Sequence, residues 1–323
     1  MGKFVEAVAH LKRVIDIDPK DASAHNSLGA ILNDNVKDHA GAIAAFRTAI
    51  TLNPKNAHYR FNLGNAFRDN GQLDDASAAY REALSLKKDF VEAYHQLGLL
   101  LVRQGRFADA VPELKHSLEL GSKIPGWTHT AAQWVRRAEQ LAQLDERLAA
   151  VLEGKAQPKD TAERLAFAGL CQKPYRQRYA TALRFYEEAF ADVPELTGAR
   201  PSPSRYAAAC AAALAGCGHG KDTAHLDTMK RAALRRQALE WLRGDLAGYQ
   251  RWLANEPDKA GPLLCQRMQA WQQDADLAGV RAPESLGRLP AVEQKDWREL
   301  WEDVKALGQR AAQRPAAANS ARP

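Results

Sequence analysis

The first third of the chain repeats apolar residues with the period of an amphipathic helix. Apolar side chains recur three and four residues apart, which places them along one face of a helix. Short breaks rich in Asn, Asp, Gly and Pro separate these stretches. Ala, Leu, Arg, Glu and Gln recur throughout, and β-branched residues are sparse. The pattern therefore predicts an all-α fold built from short helices.

Within this region a Leu-Gly pair recurs at intervals of 35 and then 34 residues. The pairs are Leu28-Gly29, Leu63-Gly64 and Leu97-Gly98. Each pair is followed by an alanine, an apolar residue four positions later and a small residue three positions after that. These residues are Ala42, Phe46 and Ala49, then Ala76, Tyr80 and Ala83, then Ala110, Leu114 and Ser117. Each unit is thus predicted to be a pair of helices in which the glycine lets the first helix approach the second.

This pattern resembles the tetratricopeptide repeat (TPR) family across residues 22–120. The resemblance implies a right-handed α-solenoid of helical hairpins, with repeats at 22–56, 57–90 and 91–124. The repeat at 22–56 carries one extra residue between its helices, in the segment NDNVKDHAG.

Residues 1–21 match only the second half of a repeat. An array that starts in mid-repeat exposes the apolar face of its first helix. We therefore expect the chain to be the C-terminal part of a longer protein. The alternative is that Met1 is genuine and the half repeat acts as a cap.

Beyond the third repeat the period breaks, although helical patterns continue. We expect a connecting or capping helix at 125–157, degenerate repeat-like helices at 158–255 and a Trp-rich helical region at 256–310. A disordered tail is predicted at 311–323 because its composition is of low complexity. Large aromatics at helical spacing favour a core role for the tryptophans near this end over an interface. These are Trp241, Trp252, Trp271, Trp297 and Trp301.

The segments YAAACAAALAGCGHGKD and LRRQALEWLRGDLAGYQRWL carry a second resemblance. With the Trp-containing segments that follow, residues 162–309 resemble the C-terminal region of planctomycete TPR-containing serine/threonine protein kinases. That region is a non-catalytic module, and family members place a kinase domain before the repeats. This chain has no HRD or DFG motif, so any kinase activity would belong to a parent segment.

Residues 216–222, GCGHGKD, look most like a catalytic or phosphate-binding loop. A P-loop, however, needs glycine at position 215 and Ser or Thr at position 222, where this chain has Ala215 and Asp222. We instead predict that Gly216 or Gly218 ends one helix and that Asp222 caps the next.

The nearby cysteines do not form a promising zinc site. Cys210 and Cys217 would lie roughly 10 Å apart on one helix, too far for one zinc ion. We therefore expect no metal, no cofactor and no catalytic residue, and we predict that the chain is not an enzyme.

Charge and cysteine usage restrict the partners and the compartment. The chain has 45 basic and 39 acidic residues, a net charge of +6 that permits acidic partners without requiring nucleic acid. The basic segment KRAALRRQALEWLR is expected to be a solvated helix face. Four cysteines without a CxxC pair favour a reducing, cytoplasmic setting. No apolar run reaches the ~20 residues that a membrane span needs.

The first helices of the repeats supply the strongest candidate binding surface, a concave groove. Asn62 and Gln96 occupy equivalent positions in their repeats. Their side-chain amides can both donate hydrogen bonds to and accept them from the backbone of an extended peptide. Arg68 and Arg103 could hold acidic side chains. The candidate groove residues are Asn26, Phe61, Asn62, Asn65, Arg68, His95, Gln96 and Arg103. The alternative is that they are ordinary solvent-facing polar groups.

The resemblance also suggests what the groove lacks. The chaperone-binding clamp of this family uses lysines and asparagines to hold a terminal carboxylate. Where that clamp has lysines, this chain has Asn26 or Phe61 at one position and Glu92 at another. We therefore expect no specificity for a terminal carboxylate. The favoured function is a non-catalytic scaffold that binds peptide segments of a partner protein, as part of a bacterial serine/threonine kinase. A free-standing TPR adaptor is the alternative, and an RNA-binding helical repeat is less favoured.

Overall fold

The structure is a computed structural model that describes residues 2–313. Across these residues the chain forms helices and connecting loops and contains no β-strand, which confirms the all-α prediction. It divides into two compact units, residues 1–147 and 148–323, and each is described by itself.

The first unit is a series of helical hairpins. Its helices are α1 (Gly2–Ile17), α2 (Ala22–Ile31), α3 (His39–Leu52), α4 (Ala57–Asp69), α5 (Leu73–Leu86), α6 (Val91–Arg103) and α7 (Phe107–Leu120), followed by α8 (Trp127–Leu152). The hairpins are α2/α3, α4/α5 and α6/α7, and they stack through contacts of α3 with α4 and of α5 with α6. The boundary between the two units falls inside α8.

The recurring glycine of each hairpin lies directly against a large side chain of the second helix. A Cβ atom added at Gly29, Gly64 or Gly98 would lie 2.8, 2.6 or 2.5 Å from the side chain of Phe46, Tyr80 or Leu114, respectively. These distances are shorter than van der Waals contact, so a larger residue would push the helices apart. The structure thus confirms the predicted packing role of the glycine.

The extra residue in the 22–56 repeat is absorbed by a π-helical turn. After α2 the helix widens over Leu32–Val36 and ends at Lys37, whose φ of 64° is left-handed. Single π turns of this kind accommodate insertions within an α-helix and occur frequently at functional sites. Helix α3 then starts normally, with Asp38 accepting a hydrogen bond from the backbone N–H of Gly41.

The second unit also consists of packed helices. They are α9 (Thr161–Cys171), α10 (Tyr179–Asp192), α11 (Pro203–Gly216), α12 (Thr228–Asn255), α13 (Pro257–Gln273), α14 (Pro283–Leu286) and α15 (Ala291–Ala312). The main packed pairs are α9/α10, α11/α12 and α13/α15. Helix α15 runs two residues into the predicted tail, and residues 314–323 lie outside the described part of the chain.

The core of the second unit contains the predicted tryptophans. Trp271 and Trp297 are buried, and Trp241, Trp252 and Trp301 pack against the same core while keeping some exposure. The expectation that these aromatics are core residues is therefore confirmed.

The GCGHGKD segment is a helix end and a loop, as predicted, but Asp222 does not cap the following helix. Gly218 has a φ of 83°, in the left-handed region that follows the end of α11. The carboxylate of Asp222 accepts a hydrogen bond of 2.8 Å from the backbone N–H of Thr181, at the start of α10. Helix α12 begins only at Thr228, where Asp227 provides the cap.

A contact with residues outside the segment determines where Asp222 lies. The backbone N–H of Lys221 donates to the carbonyl oxygen of Gln177 at 2.8 Å, so the loop folds back against the turn before α10. This contact carries Asp222 to the free N–H groups of another helix.

Candidate functional site

The amide side chains predicted to line the groove contact each other across successive repeats. Nδ2 of Asn62 in α4 donates to Oδ1 of Asn26 in α2 at 2.9 Å. Gln96 in α6 accepts a hydrogen bond of 2.9 Å from the guanidinium of Arg68 in α4. Three side-chain atoms have no hydrogen-bond partner among residues 2–313: Nδ2 of Asn26, Oδ1 of Asn62 and Nε2 of Gln96. We call Asn26, Asn62 and Gln96 the amide ladder.

Arg68 positions the neighbouring polar groups. Its Nε donates to Oδ1 of Asp69 at 2.8 Å, and a second nitrogen pairs with the same carboxylate. Asn65 accepts a hydrogen bond of 2.8 Å from the hydroxyl of Tyr80. Burial raises the pKa of Tyr80 to about 12, so this hydroxyl keeps its proton at neutral pH. Arg68, which the sequence predicted as a partner of an acidic ligand, is therefore already bound to Asp69 and Gln96.

Aromatic rings form part of the same surface. Phe61 lies 4.9 Å from the ring of Phe90 and 5.7 Å from that of Tyr80, centroid to centroid. The ring of His95 meets Trp127 edge-on at 5.2 Å. Nδ1 of His95 is buried without a hydrogen-bond partner, and burial lowers the pKa of this imidazole. The ring is therefore neutral at physiological pH and contributes an apolar contact.

A cavity of about 730 Å³ opens beside the π turn. Its lining combines three basic side chains with two carboxylates, and the residues are Asp34, Lys37, His39, Arg68, Asp69, Gly71 and Arg103. We call it the π-turn pocket. The candidate groove residues predicted from the sequence include Arg68 and Arg103 but not Lys37 or His39. The signal that could have located the pocket is the 35-residue spacing of the first two glycines.

Asn33 holds the π-turn pocket together. It is only 2% exposed, and its Nδ2 donates to carboxylate oxygens of Asp34 and Asp69, each at 2.9 Å. Its Oδ1 lies 2.8 Å from Nδ1 of His39. His39 is therefore part of a hydrogen-bond network that links one repeat to the next.

The unpaired charge in the π-turn pocket is mainly positive. Burial by itself would raise the pKa of Asp69, but hydrogen bonds from Arg68 and Asn33 outweigh it and lower this pKa. Arg68 neutralises Asp69. Lys37 and Arg103 have no ion pair or side-chain hydrogen bond with any residue that the structure describes. These two cations are available to an acidic ligand.

Three further observations concern metal ligands, membrane spans and the basic segment of α12. Among residues 2–313 no group of three or more His, Cys, Asp or Glu residues is placed to hold a metal ion. No helix of the described chain is long and apolar enough to cross a membrane. The predicted solvated basic face is wrong for Arg235, which is buried and forms an ion pair of 2.6 Å with Glu293.

Family models of the tetratricopeptide repeat match a continuous part of the chain. One TPR repeat model matches residues 1–35 and 64–105. Other tetratricopeptide repeat models match 22–56, 45–76 and 91–124. Two of these matches have the same bounds as repeats predicted from the Leu-Gly spacing.

Curated relatives share this part of the chain. The chain is 32% identical over 122 residues to protein O-mannosyl-transferase Tmtc3 of Drosophila melanogaster. This match covers 33% of this chain and 13% of that protein. The chain is 35% identical over 86 residues to small glutamine-rich tetratricopeptide repeat-containing protein 2 of Mycosarcoma maydis, covering 27% and 24%. The chain thus spans at most about a quarter of the length of these relatives.

Solved structures with similar helical arrangements are more distant. The crystal structure of MamA has a TM-score of 0.37 at 19% identity and covers 45% of this chain and 92% of that chain. The P58(IPK) TPR domain has a TM-score of 0.39 at 16% identity and covers 91% and 100%. Because both TM-scores are low, the assignment rests on the repeat models and on the hairpins that carry them. Residues 1–124 of this chain are an array of tetratricopeptide repeats.

Proposed function

We propose that the first unit is a non-catalytic scaffold whose groove binds an extended segment of a partner protein. Stacked repeats of this kind typically present a concave surface to protein partners. The amide ladder is the observation that carries the proposal. Asn26, Asn62 and Gln96 come from successive first helices and keep free donor and acceptor atoms. An extended peptide offers matching N–H and C=O groups along its backbone.

The π-turn pocket gives the proposal its chemical preference. Lys37 and Arg103 lack partners in the described structure, whereas Arg68 is bound to Asp69 and Gln96. A carboxylate of the ligand would form charge-assisted hydrogen bonds with the two free cations. We therefore propose a peptide with an acidic side chain at the pocket and apolar residues along Phe61.

The experiment is a selection of random peptides on the full chain, followed by calorimetric titration of the selected sequences. We expect enrichment of peptides that contain Asp or Glu next to apolar residues. Amidating the peptide C-terminus should leave affinity unchanged, because the groove lacks the lysines of the carboxylate clamp. A strict requirement for a free C-terminal carboxylate would contradict this specificity.

Two double variants separate the contributions of the site. Asn62→Ala/Gln96→Ala should weaken binding of every selected peptide, because each lost peptide hydrogen bond contributes about 0.5–1.5 kcal/mol. Lys37→Gln/Arg103→Gln should weaken binding of acidic peptides only. Lys55→Gln/Lys88→Gln is the matched control, since it removes the same charge from exposed positions outside the pocket. Equal affinity of wild type and the amide variant would overturn the groove proposal.

The sequence resemblance of residues 162–309 extends the proposal to a parent protein. On that basis the chain would be the partner-binding part of a bacterial serine/threonine kinase acting in the cytoplasm. The four free cysteines accord with a reducing compartment. Sequencing the gene upstream of Met1 tests this. A reading frame that continues into kinase motifs would support it, and an in-frame stop would favour the free-standing adaptor.

A further inference from the structure

The second unit contains a cavity outside the residues that the tetratricopeptide repeat models match. Its volume is about 690 Å³, within the range of small-ligand sites. The walls come from the loop after α11, the first turns of α12 and the segment from Gly279 to Glu293. Cys217 and His219 of the GCGHGKD segment form one wall. We call this cavity the arginine cleft.

Three guanidinium groups face one carboxylate in the arginine cleft. Arg231, Arg235, Arg288 and Glu293 all line it. Arg235 donates to both carboxylate oxygens of Glu293, at 2.6 and 2.9 Å, and to the carbonyl oxygen of Gly216 at 2.6 Å. This pairing neutralises Glu293 and satisfies the carbonyl at the end of α11. The remaining charge of the cleft is positive.

Arg231 and Arg288 are the uncompensated groups. Nε of Arg231 is buried and has no hydrogen-bond partner. Neither guanidinium forms an ion pair or hydrogen bond with another residue in the described range. A buried, unpaired donor of a charged group is costly, and a bound anion would relieve that cost.

We propose that the arginine cleft binds a phosphate monoester between Arg231 and Arg288. A phosphate monoester carries about −1.5 to −2 charges at neutral pH and three strong acceptor oxygens, which two guanidinium groups can match. The hydroxyls of Thr228 and Ser285, which also line the cleft, add donors. Leu289 and Pro290 provide an apolar wall for the organic part of the ligand.

This chemistry differs from that of a P-loop, which sequence analysis excluded for the same segment. The backbone N–H groups of Gly218 and His219 donate to carbonyl oxygens of Ala215 and Leu214 at the end of α11. They are therefore not available to a phosphate. The proposed ligand contacts come from side chains of α12 and of the segment before α15.

The phosphate could belong to a phosphorylated protein side chain or to a free small molecule, and titration calorimetry on the full chain distinguishes them. The probes are inorganic phosphate, free O-phosphoserine, a phosphoserine pentapeptide and its unphosphorylated form. We expect saturable binding of phosphate monoesters, weakening as salt is raised, and none of the unphosphorylated peptide. Tighter binding of the phosphopeptide than of O-phosphoserine would identify a protein source, and the reverse order a small molecule.

Arg231→Gln/Arg288→Gln should weaken binding at least about tenfold, which corresponds to 1.4 kcal/mol. Arg236→Gln/Arg310→Gln removes the same charge from exposed positions outside the cleft and should leave affinity unchanged. Arg288 is exposed, so the single variant Arg288→Gln keeps the test valid if the double variant unfolds. Absence of saturable binding to wild type, or equal binding by Arg288→Gln, would overturn the proposal.

Discussion

At the scale of the residue, the close packing of helices in the first unit depends on glycines, which have no side chain. Gly64 faces the ring of Tyr80, and an added Cβ would lie 2.6 Å from it. Tyr80 is fully buried and donates to Asn65, so the ring has little freedom to move aside. One glycine therefore governs the spacing of a hairpin and the position of a candidate groove residue.

Gly64→Ala should lower the free energy of unfolding by about 1–3 kcal/mol, the usual cost of overpacking a core. Gly169→Ala is the matched control. Gly169 lies within α9, and a Cβ there meets nothing within 4 Å. Because alanine favours a helix over glycine by about 0.5–1 kcal/mol, this control should hold or raise stability. Thermal unfolding followed by circular dichroism measures both, and equal shifts in the same direction would contradict the argument.

At the scale of the element, the start of a helix can be stabilised by a residue distant in sequence. Asp222 precedes α12, yet it accepts hydrogen bonds from the backbone and the hydroxyl of Thr181 at the start of α10, at 2.8 and 2.7 Å. The residue immediately before α10, Arg178, makes no side-chain cap. Asp222 thus satisfies donors that the local sequence leaves free.

Asp222→Ala should destabilise the second unit by about 0.5–2 kcal/mol, the typical cost of losing a helix cap. Hydrogen exchange should accelerate most at Ala180 and Thr181, although neither residue is changed. His225→Ala is the control, since His225 is exposed in the same loop. Faster exchange at the start of α12 and not at α10 would show that Asp222 caps its sequence neighbour after all.

At the scale of the whole molecule, the second unit has a core and a buried ion pair of its own. Arg205 and Asp245 are 3% and 0% exposed. The guanidinium of Arg205 also donates to the carbonyl oxygens of Thr197 and Gly198, each at 2.6 Å. The ion pair therefore joins α11 and α12 to each other and to the segment before α11.

Asp245→Ala should destabilise the second unit by about 3–5 kcal/mol, because it leaves a buried guanidinium without its counter-ion. The π-turn pocket and the amide ladder lie in the first unit, so the titrations of peptides there should be unchanged. Asp258→Ala, at an exposed position of α13, is the control and should shift stability by less than about 0.5 kcal/mol. A cost as small as that of the control would contradict the role of the pair.

The predictable part of this protein lies in its local patterns. The Leu-Gly spacing gave the hairpins and located Gly29, Gly64 and Gly98 at the helix contacts. The same spacing revealed the extra residue before Lys37 but not its conformation, since a longer loop and a π turn both absorb one residue. The groove positions followed from the repeat, whereas the internal pairing of Arg68 did not.

The sequence by itself determined the helices and the repeat, because helical periodicity and close glycine contacts depend on residues a few positions apart. Only the tertiary structure decided which polar groups remain free for a ligand. Asn33 bonds Asp69, Asp222 bonds Thr181 and Arg235 bonds Glu293. Each bond joins residues at least 36 positions apart, and no local pattern encodes it. These distant pairings neutralise some charges and leave Lys37, Arg103, Arg231 and Arg288 as the cations of the two proposed sites.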